Sequence, residues 1–169
     1  MKAPQLAIGL TVLLTILAAG LGAAPPEKDK ATKEEERAIA AIKKLGGSVT
    51  RDSKLPGNPV VEVDLFRKET TDADLAHLKA FPELRKLDLM GDCNHSKKNH
   101  LTDAGLKHLR DLRKLEHLDV SWHSGITDAS IEHLEKLSNL KSVDLGETSV
   151  TEKGVKRLKR ALPKAAIIE

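Results

Sequence analysis

"RKLDL" (85–89), followed by "LTDAGLKHL" (101–109), decides how this chain folds. In the first piece Leu87 and Leu89 face one way and Lys86 and Asp88 the other, the alternation of a short strand with one buried face. In the second, Leu106, Leu109 and then Leu112 fall at steps of three, one stripe of a helix. Thr102 stands where an N-cap belongs, and Asp103 lies in the first turn, where the helix dipole favours an acid. The pair recurs as "VEVDL" (61–65) with "TTDADLAHL" (70–78), "EHLDV" (116–120) with "ITDASIEHL" (126–134) and "KSVDL" (141–145) with "VTEKGVKRL" (150–158). Asp64, Asp88, Asp119 and Asp144 mark the period, at spacings of 24, 31 and 25 residues. A period of that size implies stacked supersecondary units. Thr71, Thr127 and Thr151 repeat the place of Thr102. Three residues after each Thr the copies carry Gly105, Ser130 and Gly154, small enough to let the helix backbone approach its neighbour. Asp74 departs from this in the first copy, as suits a terminal unit.

Over about Val60 to Ile168 these units resemble leucine-rich repeats. The "LTDAGLKHL" and "LDL" halves are similar to the short-looped type of F-box substrate receptors and of many bacterial secreted proteins. The Asn of the usual loop ladder is missing, and Gly91 and Thr148 stand in such places. The resemblance implies an α/β fold: a right-handed leucine-rich-repeat solenoid with short parallel strands on the concave face and helices on the convex face. Strands about 4.8 Å apart and helices roughly 8–10 Å apart bend such a stack into a shallow arc. An N-terminal helix-plus-strand cap is expected over 33–59. There "KEEERAIAAIKKLGG" (33–47) has an apolar stripe of Ala38, Ile39, Ile42 and Leu45, stopped by Gly46 and Gly47. The repeats and a C-terminal cap then occupy 60–169.

Residues 1–24 read as a signal peptide. Leu6 to Ala24 carries no charge, and Gly22, Ala23 and Ala24 suit a signal-peptidase exit. Its 19 residues are also long enough for a membrane anchor. Residues 25–32 read as a charged linker. The expected location is therefore exported: periplasmic, cell-surface or extracellular. Across the chain 28 basic residues nearly balance 25 acidic ones, with no concentrated basic stripe, which argues against nucleic acid. One Cys makes no internal disulfide. No phosphate loop, nucleophile elbow or converging pair of acids appears, so no enzyme activity and no cofactor is expected.

Repeat stacks bind along the strand face. Outward strand positions include Asp64, Phe66, Asp88, Met90, His117, Asp119, Ser121 and Asp144, with Trp122 at the rim. The expected function is a non-enzymatic protein–protein interaction module, monomeric, holding an unidentified protein partner through Asp64, Phe66, Asp88, Met90, His117, Asp119, Trp122 and Asp144. Between strand and Thr-Asp the second copy has twelve residues, "MGDCNHSKKNHL" (90–101), where the others have five or six. Cys93, His95 and His100 lie on that insertion and His123 in the same loop of the next copy. These are zinc-type residues, so a metal-binding protein is the alternative reading. A ubiquitin-ligase substrate receptor, suggested by the F-box resemblance, is a remote third. His77, His108 and His133 form a further column on the helical side and read as solvated.

Overall fold

The computed structural model describes residues 27–93 and 101–169, with side chains from residue 32 onward. His95 and His100 lie outside the described residues, as does the whole of 1–24. Helix α1 spans Glu27–Lys44. It begins inside the stretch read as a linker, six residues before the expected Lys33. Gly46, at φ +80°, reverses the chain, and the N–H of Gly47 closes on the Ile42 carbonyl at 3.0 Å. Strands β1 (Ser48–Arg51), β2 (Val60–Asp64), β3 (Lys86–Asp88), β4 (His117–Asp119), β5 (Ser142–Asp144) and β6 (Ala166–Ile168) follow in spatial as well as chain order. β1 is antiparallel to β2, and every later pair is parallel.

The alternation read from "KLDL" is realised in register. Val63, Leu87, Leu118, Val143 and Ile167 pair across the five parallel strands and point inward. Leu65, Leu89, Val120 and Leu145 form a second buried row just past the strands. Full burial of each such side chain stabilises by roughly 1.5–3 kcal/mol. At the N-terminal end Ala38 and Ile42 of α1 join the same core.

The connecting helices differ from the expected single helix per repeat. Asp74–Ala80 is a 3₁₀ helix. Helix α2 (Asp103–Leu106) tightens into 3₁₀ at Lys107–Leu109, and 3₁₀ at Asp128–Ser130 precedes α3 (Ile131–Leu134). Only α4, Glu152–Ala161, is a continuous α-helix. The step of the leucines accommodates this mixture of α and 3₁₀ turns. Leu75, Leu78 and Phe81; Leu106, Leu109, Leu112 and Leu115; and Ile131, Leu134, Leu137 and Leu140 recur every third residue and are all buried. A 3₁₀ helix has three residues per turn and eclipses positions three apart. In α4 the step from Leu158 to Leu162 is four, and the helix stays α.

Candidate functional site: the strand face and its rim

The outward residues of β2 to β5 form two rows. The first is Glu62, Lys86, His117 and Ser142, in register. Lys86 Nζ donates to Glu62 at 2.7 Å, and His117 Nδ1 shares a hydrogen bond with Ser142 Oγ at 2.8 Å. The second row is the expected column of Asp64, Asp88, Asp119 and Asp144, also in register. Each has local work. An Oδ1 accepts the N–H two residues on: Phe66 at 2.8 Å, Met90 at 3.1 Å, Ser121 at 2.9 Å and Gly146 at 2.9 Å. These are Asx turns that bend the chain off the strand. Burial pushes the Asp88 carboxyl up from its ordinary value, against the N–H of Met90, and Asp119 and Asp64 push it further up.

The third residue after the Asp takes a left-handed backbone in three repeats: Arg67 (φ 55°), Trp122 (φ 65°) and Glu147 (φ 55°). The insertion-bearing repeat has Gly91 there, without a positive φ. A Cβ on Gly91 would stand 2.6 Å from the Trp122 carbonyl and 3.1 Å from the His123 ring.

The expected contact residues are not equally presented. Phe66 is 41% exposed, with the Arg67 guanidinium 5.2 Å from its ring centroid, and His117 is exposed. Met90 and Trp122 are half-buried. Ser121, expected outward, is buried and donates Oγ–H to Asp119 at 2.7 Å. Ile168 is 51% exposed beside Asp144, and the sequence reading missed it. Its signal was present: Ile168 lies 24 residues past Asp144 and continues the outward Asp positions one strand further.

Around the insertion two of the four expected ligands, Cys93 and His123, are described. Cys93 Sγ accepts a hydrogen bond from Arg67 Nη2 at 2.6 Å. His123 points inward and is 1% exposed. Its Nε2 lies 2.7 Å from the Leu89 carbonyl, and its Nδ1 accepts from the Leu101 N–H at 3.3 Å. Both ring nitrogens are engaged, so a metal could take His123 only by breaking one of these bonds. Among the described residues no three His, Cys, Asp or Glu side chains are grouped for a metal.

At the other edge of the loops a second set of aspartates joins repeat to repeat. Asp72 accepts the N–H of Thr102 at 2.9 Å and its hydroxyl at 2.5 Å. Asp103 does the same for Thr127 at 2.9 and 2.7 Å, and Asp128 for Thr151 at 2.8 and 2.7 Å. Each Thr oxygen then caps its helix by accepting from Ala104, Ala129 or Gly154 N–H. This explains the small residues. A Cβ on Gly105 or Gly154 would land on the carboxylate of the preceding repeat, and Ser130 donates its hydroxyl to Asp103. The first repeat has no predecessor. There Thr71 binds Asp74 of its own repeat instead, through N–H at 2.8 Å and Oγ at 2.6 Å, and makes no helix cap.

The molecule is thus of the class built from stacked parallel strand–loop–helix units, with an open acidic strand face and a rim of loops. No protein-family model matches the chain, and no curated protein matches it. Among solved structures it is similar to a leucine-rich-repeat protein of Leptospira interrogans, at 21% identity over 54% of this chain and 27% of that one, with a TM-score of 0.37. The chain therefore spans about a quarter of the length of that neighbour.

Proposed function

We propose that the chain is a non-enzymatic protein-interaction module: a right-handed leucine-rich-repeat arc, closed at its N-terminal end by α1 and β1, that docks an unidentified protein partner on its strand face. Export through residues 1–24, as a cleaved signal or as an anchor, belongs to the same reading. One observation carries it: an in-register column of four carboxylates on an open sheet face, flanked by Phe66 and Ile168, which are the exposed large apolar side chains among the described residues. The outward strand acids Glu62, Asp64, Asp88, Asp119 and Asp144 stand against Lys86 on the strands and Arg67 and Lys68 beside Phe66, which leaves the face at −2, so the partner surface is basic with apolar anchors. Exposed apolar residues beside complementary charge are the usual anchors of such contacts.

Photo-crosslinking in the envelope fraction of the source cells tests this. A reactive side chain at Phe66 or Ile168 is expected to capture one protein, in a salt-sensitive manner, and one at Lys107 on the helical side to capture none. Equal capture from both sides refutes the assignment of the face. The metal reading is favoured less, because His123 is committed to backbone groups.

A further inference from the structure

His123 lies on a loop and yet is buried, and its hydrogen bonds fix its protonation. A backbone N–H can only donate, so Nδ1, which faces Leu101 N–H at 3.3 Å, carries no proton. A carbonyl can only accept, so Nε2, 2.7 Å from Leu89 O, carries the hydrogen. The ring is therefore neutral in the folded rim. Leu89 and Leu101 are the two roots of the long loop of the second repeat, and one side chain of the third repeat ties both. Thr148 fills the equivalent slot of the fourth repeat, three residues after Leu145, and bonds only within its own loop. Thr148 therefore makes no such bridge from the fourth repeat to the third. Trp122 precedes the ring, with its own N–H on the Gly146 carbonyl at 2.9 Å.

We propose that His123 is a pH-sensitive fastener between the second and third repeats, whose protonation releases Leu101 and loosens the rim at Trp122. A proton on Nδ1 sets one N–H against another, and one of them must leave. The sign follows from linkage. The folded junction requires the neutral ring and the opened one does not. Stability here is full above the ordinary imidazole value of about 6.5 and falls as pH drops below it. Among the described residues, the ionisable groups on the surrounding elements are Asp88, Asp92 and Cys93 on the β3 side, Asp103 at α2, Asp119 on β4 and Glu147 beyond Gly146. Asp88, Asp119 and Asp103 hold N–H groups of Met90, Ser121 and Thr127. Asp92 follows Gly91, whose Cβ position is 3.1 Å from the ring, and its charge would favour the protonated form. The consequence for partner binding at Trp122 rests on the function proposed above; the fastener itself does not.

The test uses the full chain between pH 8 and 5. Trp122 is the single Trp and there is no Tyr, so its emission reads the neighbouring rim directly. The expected result is an unprotonated Nδ1 in ¹⁵N spectra at pH 8 and a ring titration below about 6.5. The protection of the Leu101 amide should fall about tenfold per pH unit below that value, and Trp122 emission should move with it. His123→Gln, which does not titrate, should flatten both responses. His108→Gln should keep them; burial and then Lys107 hold that imidazole below its ordinary value, so it is the ring that could imitate the effect. Asp92→Asn should keep them too. A protonated Nδ1 at pH 8, a titration at or above 6.5, or a response lost with Asp92 or retained without His123 overturns the proposal. If His123→Gln does not fold, the ring titration of the native chain decides alone.

Discussion

Two rows of aspartates run along this molecule and do opposite kinds of work. Asp64, Asp88, Asp119 and Asp144 each turn their own chain, two residues on. Asp72, Asp103 and Asp128 each reach across 23 to 30 residues to hold the helix start of the next repeat. The first row stabilises units one at a time. The second couples neighbouring units, because a repeat that opens takes away the acceptor that holds its successor's capping Thr. The same side chain gives a local or a long-range bond according to which backbone N–H the fold brings within its reach.

The sharpest way to break this contrast is to fill the space beside each row. Gly105→Ala drives a Cβ into Asp72 and should cost about 3 kcal/mol. Gly146→Ala meets Asp144 Oδ1 at 3.1 Å and should cost less than about 1 kcal/mol, since only its own turn must give. Urea midpoints of the two variants check this, and equal losses would deny the difference. Removal of the acids comes next. Asp103→Ala strips Thr127 N–H, Thr127 Oγ and Ser130 of their acceptor and should lose about 2 kcal/mol. Asp144→Ala frees a single turn N–H and should lose about 1 kcal/mol.

Asp88 should also answer acid with the opposite sign to Asp103 and Asp128. Burial alone would raise the Asp103 carboxyl, but bonds from Ser130 and Thr127 outweigh it and hold it below its ordinary value; Thr151 holds Asp128 down in the same way. Their stabilisation is present above about pH 3.9 and is lost as pH falls through the lower folded values. Asp88 is raised, chiefly by burial, so its contribution is full below about pH 3.9 and is lost as pH rises through its folded value. In urea titrations from pH 2.5 to 6, Asp103→Asn should flatten the acid limb, and Asp88→Asn should raise stability at the upper end. The smallest effect concerns the first repeat. Thr70 is buried with Oγ1 unpartnered, where later repeats place Leu101, Ile126 and Val150. Thr70→Val should gain about 1 kcal/mol in thermal melts.

Much of this is legible in the chain. The alternation of "KLDL" locates each strand, and Thr102, Thr127 and Thr151 cap as their positions imply. The step of three among the leucines contains the 3₁₀ geometry as well, although it also fits one stripe of an α-helix. Of the candidate site, the Asp column and Phe66 stand on the face. Ser121 instead turns in to Asp119, and the loop residue His123 turns inward because buried backbone groups need a partner.

The sequence by itself determined the repeat, its period, the strand faces and the helix starts, because these depend on residues a few positions apart. Only the tertiary structure decided which Thr each Asp holds, why Asp74 can stand where Gly105 must, and that His123 turns inward to the backbone of Leu89 and Leu101. Those depend on neighbours 22 to 34 residues away, brought together when strands stack in register.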